Sequence, residues 1–429
     1  MQHILIVGGG AGGLELATRL GHKLGKSKKA QITLVDKNTN HIWKPLLHEV
    51  ASGSLDTGTD GVIYSAHAAR HGYQFQHGEF VALDADKKQL TLAAIYDDNQ
   101  ELLIAERQLS YDTLVLAIGS VSNDFNTPGV SEYCYSLDSA HQALKFHRAL
   151  MNHFVRFNQR DDDATLNIAI VGGGATGVEL AAELYHVATL AKRYGMSQMS
   201  ASKLKIHLLE AGPGILPALP KRITDAVRHE LKALGVEVLE NTRVNAANKQ
   251  GFETAQNGFV EATMMVWAAG VKVPDYIKDQ QCFELNRMQQ IVVTPELKAK
   301  GTEDIYVIGD CCGFEQADGS WVPPRAQSAH QMASLVATNI LRSRANKPLK
   351  PFVYKDHGSL VNLSRYSTVG NLMGNLTGDS MFIEGRIARF VYMSLYRMHQ
   401  IAIHGWVKGM LLMMVEKINR AVRPKLKLH

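Results

Sequence analysis

Two stretches of the chain share one hydrophobic pattern: a short apolar run, a glycine-rich turn, and a segment whose apolar residues return at helical spacing. They are HILIVGGGAGGLELATRLGHKL, from His3, and NIAIVGGGATGVELAAELYHVA, from Asn167. An apolar run that gives way to a helical period predicts a buried strand followed by an amphipathic helix. The pattern therefore predicts the same strand, turn and helix twice, with the two turns 164 residues apart.

The two turns, GGGAGG from Gly8 and GGGATG from Gly172, have the same glycine spacing. In such a fingerprint the first glycine permits the tight turn, the third lets a pyrophosphate approach bare backbone, and the last lets the helix pack against the strand. The phosphates then lie at the N-terminus of the helix. Two copies predict two dinucleotide sites, built on Gly8, Gly10 and Gly13 and on Gly172, Gly174 and Gly177.

A carboxylate follows the second apolar run of each unit: Asp36 in ITLVDKN and Glu210 in KIHLLEAG. At this point of a Rossmann unit a carboxylate accepts hydrogen bonds from a ribose diol. Both lie further along than the usual ~20 residues, because each crossover contains an insertion. The alternative is that they are ordinary carboxylates at strand ends.

Three further apolar runs complete the predicted sheets. YDTLVLAIGS, from Tyr111, and ATMMVWAAGV, from Ala262, form a matched pair that we expect to close the two units. EDIYVIGDCCG places Asp310 in a turn after Gly309, where it could hold sugar or pyrophosphate hydroxyls. The predicted fold class is α/β, with two Rossmann-type domains.

Composition excludes several other classes. A chain of 429 residues, 45% of them hydrophobic, can bury the cores of two or three domains. The four cysteines include no Cys-x-x-Cys pair, which argues against a zinc ribbon and against a dithiol oxidoreductase. We expect the adjacent Cys311 and Cys312 to be reduced structural thiols. The histidines, such as His48 and His330, show no convincing ligand spacing, so no metal is expected.

Positive charge is concentrated at the C-terminus. Residues 385–429 contain nine Lys or Arg and only Glu416, which leaves 37 basic and 40 acidic residues elsewhere. At helical spacing one apolar face is predicted from Ile387 through Val391, Leu395 and Met398 to Ala402, opposite Arg386, Arg389, Arg397 and Gln400. A second apolar face comprises Val407, Met410, Leu411, Met414, Val415 and Ile418, with Lys408, Asn419 and Arg420 off it.

The longest uncharged apolar run in this tail, Gly409–Val415, is far below the ~20 residues that cross a bilayer. The tail is therefore expected to lie on an anionic membrane surface, with Trp406 as an interfacial anchor. The alternative is a basic helical hairpin that packs on its own domain or on a twin subunit, and the two interpretations are compatible.

The order of these motifs resembles that of flavoproteins that bind FAD in their first and last segments and NAD(P)H in an inserted middle domain. More narrowly, HIWKPLLHEVASG, PPRAQSAHQMA, YKDHGSL and the basic tail resemble the type II NADH dehydrogenases, single-subunit NADH:quinone oxidoreductases of respiratory membranes. The resemblance implies that the second Rossmann-type domain is inserted in the first, and that a C-terminal amphipathic helical membrane-surface segment follows. The implied domains are 1–125 and 290–384 for FAD, 126–289 for NADH and 385–429 for the membrane.

The resemblance also implies cofactor-binding residues. FAD would be held by Gly8, Gly10, Ala11, Gly12, Gly13, Asp36, Lys37, Lys44, Pro45, Ala117, Gly119, Gly309, Asp310, Ala326 and Gln327. NADH would be held by Gly172, Gly174, Ala175, Thr176, Gly177, Glu179, Glu210, Ala269 and Gly270. A carboxylate at Glu210 repels the extra phosphate of NADPH, and the neighbouring Ala211 and Gly212 offer no cation, so NADH is the expected substrate.

The catalytic residues implied by the resemblance are Glu179, Gln327, Gln331 and Lys355. Glu179, in the first turn of the second Rossmann helix, matches a family glutamate near the nicotinamide, although the helix dipole stabilises any acidic residue there. Gln327 and Gln331 are four apart, so a helix would present both amides on one face to quinone carbonyls. The small Ala326 and Ala329 would leave room for the flavin ring, near which Lys44 and Lys355 would place positive charge unless they are ordinary exposed lysines.

The implied reaction is hydride transfer from nicotinamide C4 to flavin N5, followed by two-electron reduction of a membrane quinone. Without spanning helices, electron transfer is expected to be uncoupled from proton translocation. The first strand begins within three residues of Met1, which leaves no room for a presequence. We therefore expect a peripheral homodimer on the cytoplasmic face of a bacterial inner membrane, with no nucleic-acid partner.

Three rival interpretations are compatible with the double Rossmann plan. A soluble ferredoxin or rubredoxin reductase normally lacks a basic amphipathic tail. A sulfide:quinone reductase needs a cysteine pair, and Cys134 and Cys282 would have to converge for that. A non-enzymatic NADH-sensing flavoprotein would turn over very slowly with every acceptor.

Overall fold

The structure, a computed structural model, describes residues 1–159, 164–363, 367–373, 380–384 and 396–422. The described residues divide into two compact units. The first comprises Met1–Trp43, Gly61–Val121 and Lys272–Lys355, and the second comprises the described parts of Lys44–Asp60, Ser122–Val271 and Asp356–His429. Each unit therefore gathers three separate pieces of the chain.

The α-helices of the described residues are, in chain order, α1 Ala11–Leu20, α2 Leu47–Ser52, α3 Thr57–Asp60, α4 Tyr64–His71, α5 Val130–Tyr133, α6 Ala140–Asn158, α7 Ala175–Arg193, α8 Lys221–Leu234, α9 Ala326–Arg344, α10 396–404 and α11 Trp406–Val422. A π-helical turn, Gly21–Gly25, continues α1 into the first predicted insertion.

The strands up to the second glycine turn are β1 His3–Val7, β2 Gln31–Asp36, β3 Asn40–His41, β4 Val62–Ile63, β5 Gln74–His77, β6 Phe80–Asp84, β7 Gln89–Leu92, β8 Ile95–Tyr96, β9 Leu102–Ile104, β10 Arg107–Ser110, β11 Thr113–Leu116, β12 Val121–Ser122, β13 Tyr135–Ser136 and β14 Leu166–Val171. Those after it are β15 Leu204–Leu209, β16 Glu237–Leu239, β17 Val244–Asn248, β18 Gly251–Thr254, β19 Phe259–Glu261, β20 Met264–Trp267, β21 Val271–Lys272, β22 Ile291–Val292, β23 Ile305–Val307, β24 Cys312–Gly313, β25 Gly358–Leu363, β26 Ser367–Met373 and β27 Ser380–Glu384.

The first unit is built on a parallel sheet of order β23-β11-β1-β2-β5. Strands β1, β11 and β23 are apolar in nearly every position, as is typical of parallel strands that are covered on both faces. Ile4, Leu5 and Ile6 of β1 are fully buried. The late strand β23 joins this sheet beside β11, in register with Leu114–Leu116. The prediction that the early and late segments form one domain around an insertion is thereby confirmed.

The second unit repeats the plan with a parallel sheet of order β13-β20-β14-β15-β16. β20 pairs with β14 in this sheet, just as β11 pairs with β1 in the first sheet. The prediction that these two strands complete the sheets is therefore confirmed. An apolar cluster that includes Ala169, Leu209, Phe252 and Trp267 fills the space between this sheet and the antiparallel sheet β17-β18-β19. The short helix α2 packs on α6 and α7.

The described part of the tail is helical. On α11 the predicted apolar residues Val407, Met410, Leu411, Met414, Val415 and Ile418 are all exposed, and so is Trp406. Ile387, Val391 and Leu395 of the first predicted apolar face, and Arg386 and Arg389 opposite it, lie outside the described residues. Among the described helices, none combines the length and the hydropathy that a bilayer crossing requires.

Candidate functional site

The first glycine turn follows β1 and is shaped by close backbone contacts. Gly8 has φ +103°, and a Cβ there would overlap the carbonyl of Ala117. A Cβ on Gly13 would overlap the carbonyl of Gly8, because α1 passes directly over the turn. Only glycine fits these two positions, as the fingerprint predicts.

Open space lies above Gly10, the N-cap residue of α1. A Cβ there would meet no atom within 4 Å, and no side chain caps the helix at this residue. The first turn of α1 also contains no acidic residue. An uncapped helix N-terminus with room in front of it suits a phosphate, which accepts hydrogen bonds from backbone N–H groups.

Asp36 holds the middle of this turn in place. Its Oδ2 accepts a hydrogen bond from the backbone N–H of Gly9 at 2.6 Å, and its Oδ1 accepts two from Asn38. A carboxylate offers about four acceptor positions, so capacity for a ribose hydroxyl remains. The carbonyl of Gly9 accepts from the Tyr64 hydroxyl at 2.7 Å. Burial raises the pKa of Tyr64 well above its usual value, which keeps this phenol a donor.

The second glycine turn reproduces this geometry. Gly172 has φ +113°, and a Cβ on Gly174, the N-cap residue of α7, would meet nothing within 4 Å. Ala175 and Thr176 form the first residues of α7. Glu210 accepts from the N–H of Gly173 at 2.7 Å through Oε2 and from the N–H of Gly212 at 2.7 Å through Oε1. The bonds at Gly9 and Gly173 were not predicted, although the middle glycine of each GGG run was a visible signal.

Asp310 is fixed by residues that the sequence did not single out. Ser120 donates through Oγ to Asp310 Oδ2 at 2.7 Å, and Gln290 donates through Nε2 to the Asp310 carbonyl at 2.9 Å. Gly309, just before it, has φ +79°. The predicted residues Ala117, Gly119, Gly309 and Asp310 thus follow the ends of the adjacent strands β11 and β23.

The amides of Gln327 and Gln331 contact Lys355. Both Nε2 atoms donate to the Lys355 carbonyl, at 3.1 and 2.7 Å, and the Lys355 N–H donates to Gln331 Oε1 at 3.0 Å. The prediction that α9 presents both amides on one face is confirmed, since they reach the same carbonyl. Ala326 begins this helix. One turn inside it, His330 Nδ1 lies 2.6 Å from the buried Glu15 of α1.

Glu179 belongs to a buried polar cluster. α7 begins at Ala175 and its first turn contains no acidic residue, so the expectation that Glu179 lies in that turn was wrong. Glu179 is 5% exposed and lies 3.4 Å from His48 Nδ1. Glu183, one turn further and also 5% exposed, accepts a hydrogen bond from Ser54. Burial lowers the pKa of His48 to about 4, although Glu183 opposes this, so the imidazole is neutral at neutral pH.

The remaining predicted site residues lie in ordinary surroundings. Lys37 is exposed and pairs with Glu79 at 3.1 Å. Lys44 and Pro45 begin the 3₁₀ turn Lys44–Leu46 in the second unit. Ala269 and Gly270 follow β20, and Gly270 has φ +62° against the ring of Phe125. Gly12 and Gly177 lie inside α1 and α7.

Three histidines of the first unit form a stacked column that was not predicted from the sequence. His67 and His71 are one turn apart on α4, with stacked rings 3.9 Å apart. His71 Nδ1 lies 2.8 Å from His22 Nε2. The column packs the π-helical turn against α4.

The four cysteines are free thiols. Burial raises the pKa of Cys311 to about 12 and that of Cys312 well above its usual value. A thiol with so high a pKa is a poor nucleophile. The expectation that Cys311 and Cys312 are reduced structural thiols is consistent with these surroundings.

Sequence comparison places this geometry in a family. Residues 2–333 match the family described as pyridine nucleotide-disulphide oxidoreductase. A type II NADH:quinone oxidoreductase from Haemophilus influenzae is 45% identical over 444 aligned residues, which cover 100% of both chains. The chain belongs to the type II NADH:quinone oxidoreductase family. A second member, from Staphylococcus aureus, is 30% identical over 87% of this chain and 90% of its own.

Solved structures show that this type II oxidoreductase fold is widely shared. A structure described as NDH2 from Plasmodium falciparum in complex with NADH superposes with a TM-score of 0.82, at 19% identity, over 99% of this chain and 100% of that chain. The sulfide:quinone oxidoreductase of Aquifex aeolicus gives a TM-score of 0.73 at 17% identity, over 99% and 96%. At identities this low, the structures show a shared fold and no more. The family assignment therefore rests on the sequence relatives.

Proposed function

We propose that this enzyme binds FAD in the first unit and NADH in the second, and that it oxidises NADH and reduces a membrane quinone. The observation that supports this best is the doubled turn. Gly10 and Gly174 each leave open space at an uncapped helix N-terminus, next to the glycines that bind the carboxylates of Asp36 and Glu210. The relative that is identical at 45% of positions, over the whole chain, is named for the same reaction.

The domain boundaries proposed from the sequence are 1–125 and 290–384 for FAD and 126–289 for NADH. The N-termini of α1 and α7 would bind the two pyrophosphates, while Asp36 and Glu210 would bind ribose hydroxyls. Bound at these sites, the cofactors supply hydride transfer from nicotinamide to flavin and two-electron transfer to the quinone. Asp310, held by Ser120 and Gln290, would orient the polar chain of FAD.

The catalytic assignments are Glu179, Gln327, Gln331 and Lys355. Gln331 makes two hydrogen bonds to the backbone of Lys355, which fixes the segment that carries this ammonium group. Lys355 would stabilise negative charge on the reduced ring. Glu179 is buried beside a neutral His48, and we assign it a role in proton transfer.

The helix α11 would attach the enzyme to an anionic lipid surface on the cytoplasmic face of a bacterial plasma membrane. Trp406 is 69% exposed and Val407 75%, so large apolar side chains of α11 stand uncovered, as is typical of a surface that binds a partner or a membrane. Each basic residue near anionic lipid adds about 1 kcal/mol. We further propose a homodimer, and electron transfer that is uncoupled from proton translocation.

The visible spectrum of the purified enzyme tests the reaction. The protein should be yellow, should bleach when NADH is added without air, and should recover when a short-chain quinone follows. In liposomes with an internal pH dye, turnover should move no protons across the bilayer. A colourless protein that cannot be reconstituted with FAD, or a bleached protein that quinone leaves bleached, would contradict the proposal.

A further inference from the structure

The loop after β15, residues 211–216, borders the carboxylate that would bind the ribose of NADH. Glu210 accepts from the N–H of Gly212 in this loop, and Glu240 Oε1 accepts from the N–H of Ile215 at 3.0 Å. The next segment is tied to the loop as well, since the N–H of Asn241 donates to the Gly212 carbonyl at 2.8 Å. The loop is therefore fixed by Glu210 on one side and by Glu240 on the other.

One cation distant in sequence from Glu210 lies against this loop. Arg228, on α8, has its Nη2 3.6 Å from the position that a Cβ on Gly214 would occupy. Its guanidinium is bound by two carboxylates. Nε and Nη2 donate to Glu240 Oε1 at 3.2 and 2.7 Å, and Nη1 donates to Asp225 Oδ1 at 2.7 Å.

Glu240 and Asp225 compete with any ligand at the loop for the donors of Arg228. A guanidinium is the group that usually binds a phosphate in two-point fashion. NADPH differs from NADH by a phosphate on the ribose that Glu210 would hold, and an arginine near that position is how Rossmann sites accommodate it. Here Arg228 lies beside residue 214 of the loop, and Glu240 and Asp225 together accept from three of its five N–H donors.

We propose that Glu240 and Asp225 are coenzyme-selectivity residues, which hold Arg228 away from the ribose 2′-phosphate and thereby exclude NADPH. This inference rests on the proposed function, because it assumes that the second unit binds NADH. Selectivity is a difference between two affinities, and it is set by repulsion as well as attraction. Glu210 supplies the repulsion, while Glu240 and Asp225 remove the attraction.

If this ion pair only stabilises the loop, its loss should affect NADH and NADPH equally. Glu240 also accepts from Ile215, so its removal could loosen the loop and weaken both coenzymes equally. Exposed ion pairs contribute only about 0–1 kcal/mol to stability, and the Arg228 side chain is 36% exposed. Only the selectivity role predicts that kcat/KM rises for NADPH and stays unchanged for NADH.

The test uses the full-length, flavin-loaded enzyme with a soluble dye as electron acceptor. Glu240→Gln keeps an acceptor for Ile215 but removes the charge that holds Arg228. We expect kcat/KM for NADPH to rise about tenfold, which is about 1.4 kcal/mol, while that for NADH stays within about threefold. Asp225→Asn should act in the same direction, and it provides a second variant should the first fold poorly.

Two controls test whether Arg228 causes the rise in kcat/KM for NADPH. Adding Arg228→Met to Glu240→Gln should abolish the gain, because the freed cation is gone. Glu237→Gln removes a carboxylate from the same unit, where it pairs with His207 outside the loop, and should change nothing. A gain that survives without Arg228, equal losses for both coenzymes, or no gain in either folded variant would overturn the inference. Calorimetry with NAD⁺ and NADP⁺ measures the ratio of the two affinities without any electron acceptor. Selectivity can therefore be tested even if quinone reduction fails.

Discussion

The open space at Gly174 provides a sharp test of the second nucleotide site. Gly174 has φ −73° and ψ −179°, an extended conformation that alanine also adopts, and an added Cβ would contact no protein atom within 4 Å. Gly174→Ala should therefore fold normally. Because glycine is preferred to alanine at an N-cap, we expect a loss of at most about 1 kcal/mol in the free energy of unfolding.

The same methyl group would occupy the space that a pyrophosphate needs. Moving the phosphate away from the N-terminus of α7 costs at least one hydrogen bond to a charged group, which contributes about 1.5–3 kcal/mol. The KM for NADH, or the dissociation constant of NAD⁺, should therefore rise roughly 10- to 100-fold. The flavin content should not change, because FAD is assigned to the other unit.

Gly10→Ala is the matched variant, since a Cβ there also meets nothing within 4 Å. It should lose FAD on gel filtration and keep its affinity for NAD⁺. The assays are the absorbance ratio of flavin to protein, calorimetry with NAD⁺, and thermal unfolding. The reasoning would be refuted if Gly174→Ala bound NAD⁺ within twofold of the parent, or if it lost flavin instead.

Three further predictions concern other parts of the molecule. Burial lowers the pKa of His48 from 6.5 to about 4, so the folded state favours the neutral ring. As the pH falls from 6.5 towards 4 the unfolded state binds a proton that the folded state does not, and the free energy of unfolding decreases; above pH 6.5 this loss is absent. Denaturant unfolding of the parent should lose about 3 kcal/mol over that range relative to His48→Asn, and parallel pH profiles would contradict this. Removing residues 385–429 should release the enzyme from anionic liposomes in a flotation assay yet preserve dye reduction by NADH, and undiminished binding would exclude the tail as the anchor. Because burial raises the pKa of Cys311 to about 12, mass spectrometry after iodoacetamide treatment at pH 8 should find Cys311 and Cys312 unmodified in the folded enzyme, whereas their rapid alkylation would show that the thiols are reactive.

Much of the fold could be predicted because its signals are local. The strand, turn and helix around Gly8 and around Gly172 each lie within about twenty residues, the scale on which hydrophobic periodicity determines an element. The matched runs before Gly119 and Gly270 predicted in the same way the strands β11 and β20, which pair with β1 and β14. Glu179 lies one residue beyond the first turn in which it was expected, because α7 begins at Ala175, directly after the N-cap residue Gly174.

The sequence alone determined which residue types surround each glycine turn, since the fingerprint requires particular backbone conformations at Gly8 and Gly172. Tertiary structure decided what holds the functional side chains. Ser120 bonds Asp310 across 190 residues, and Ser54 bonds Glu183 across 129. Such pairs leave no local pattern, because their geometry follows from how strands and helices pack once the apolar faces are buried. The same packing brings Arg228 to Glu240, and with it the proposed basis for choosing between two coenzymes.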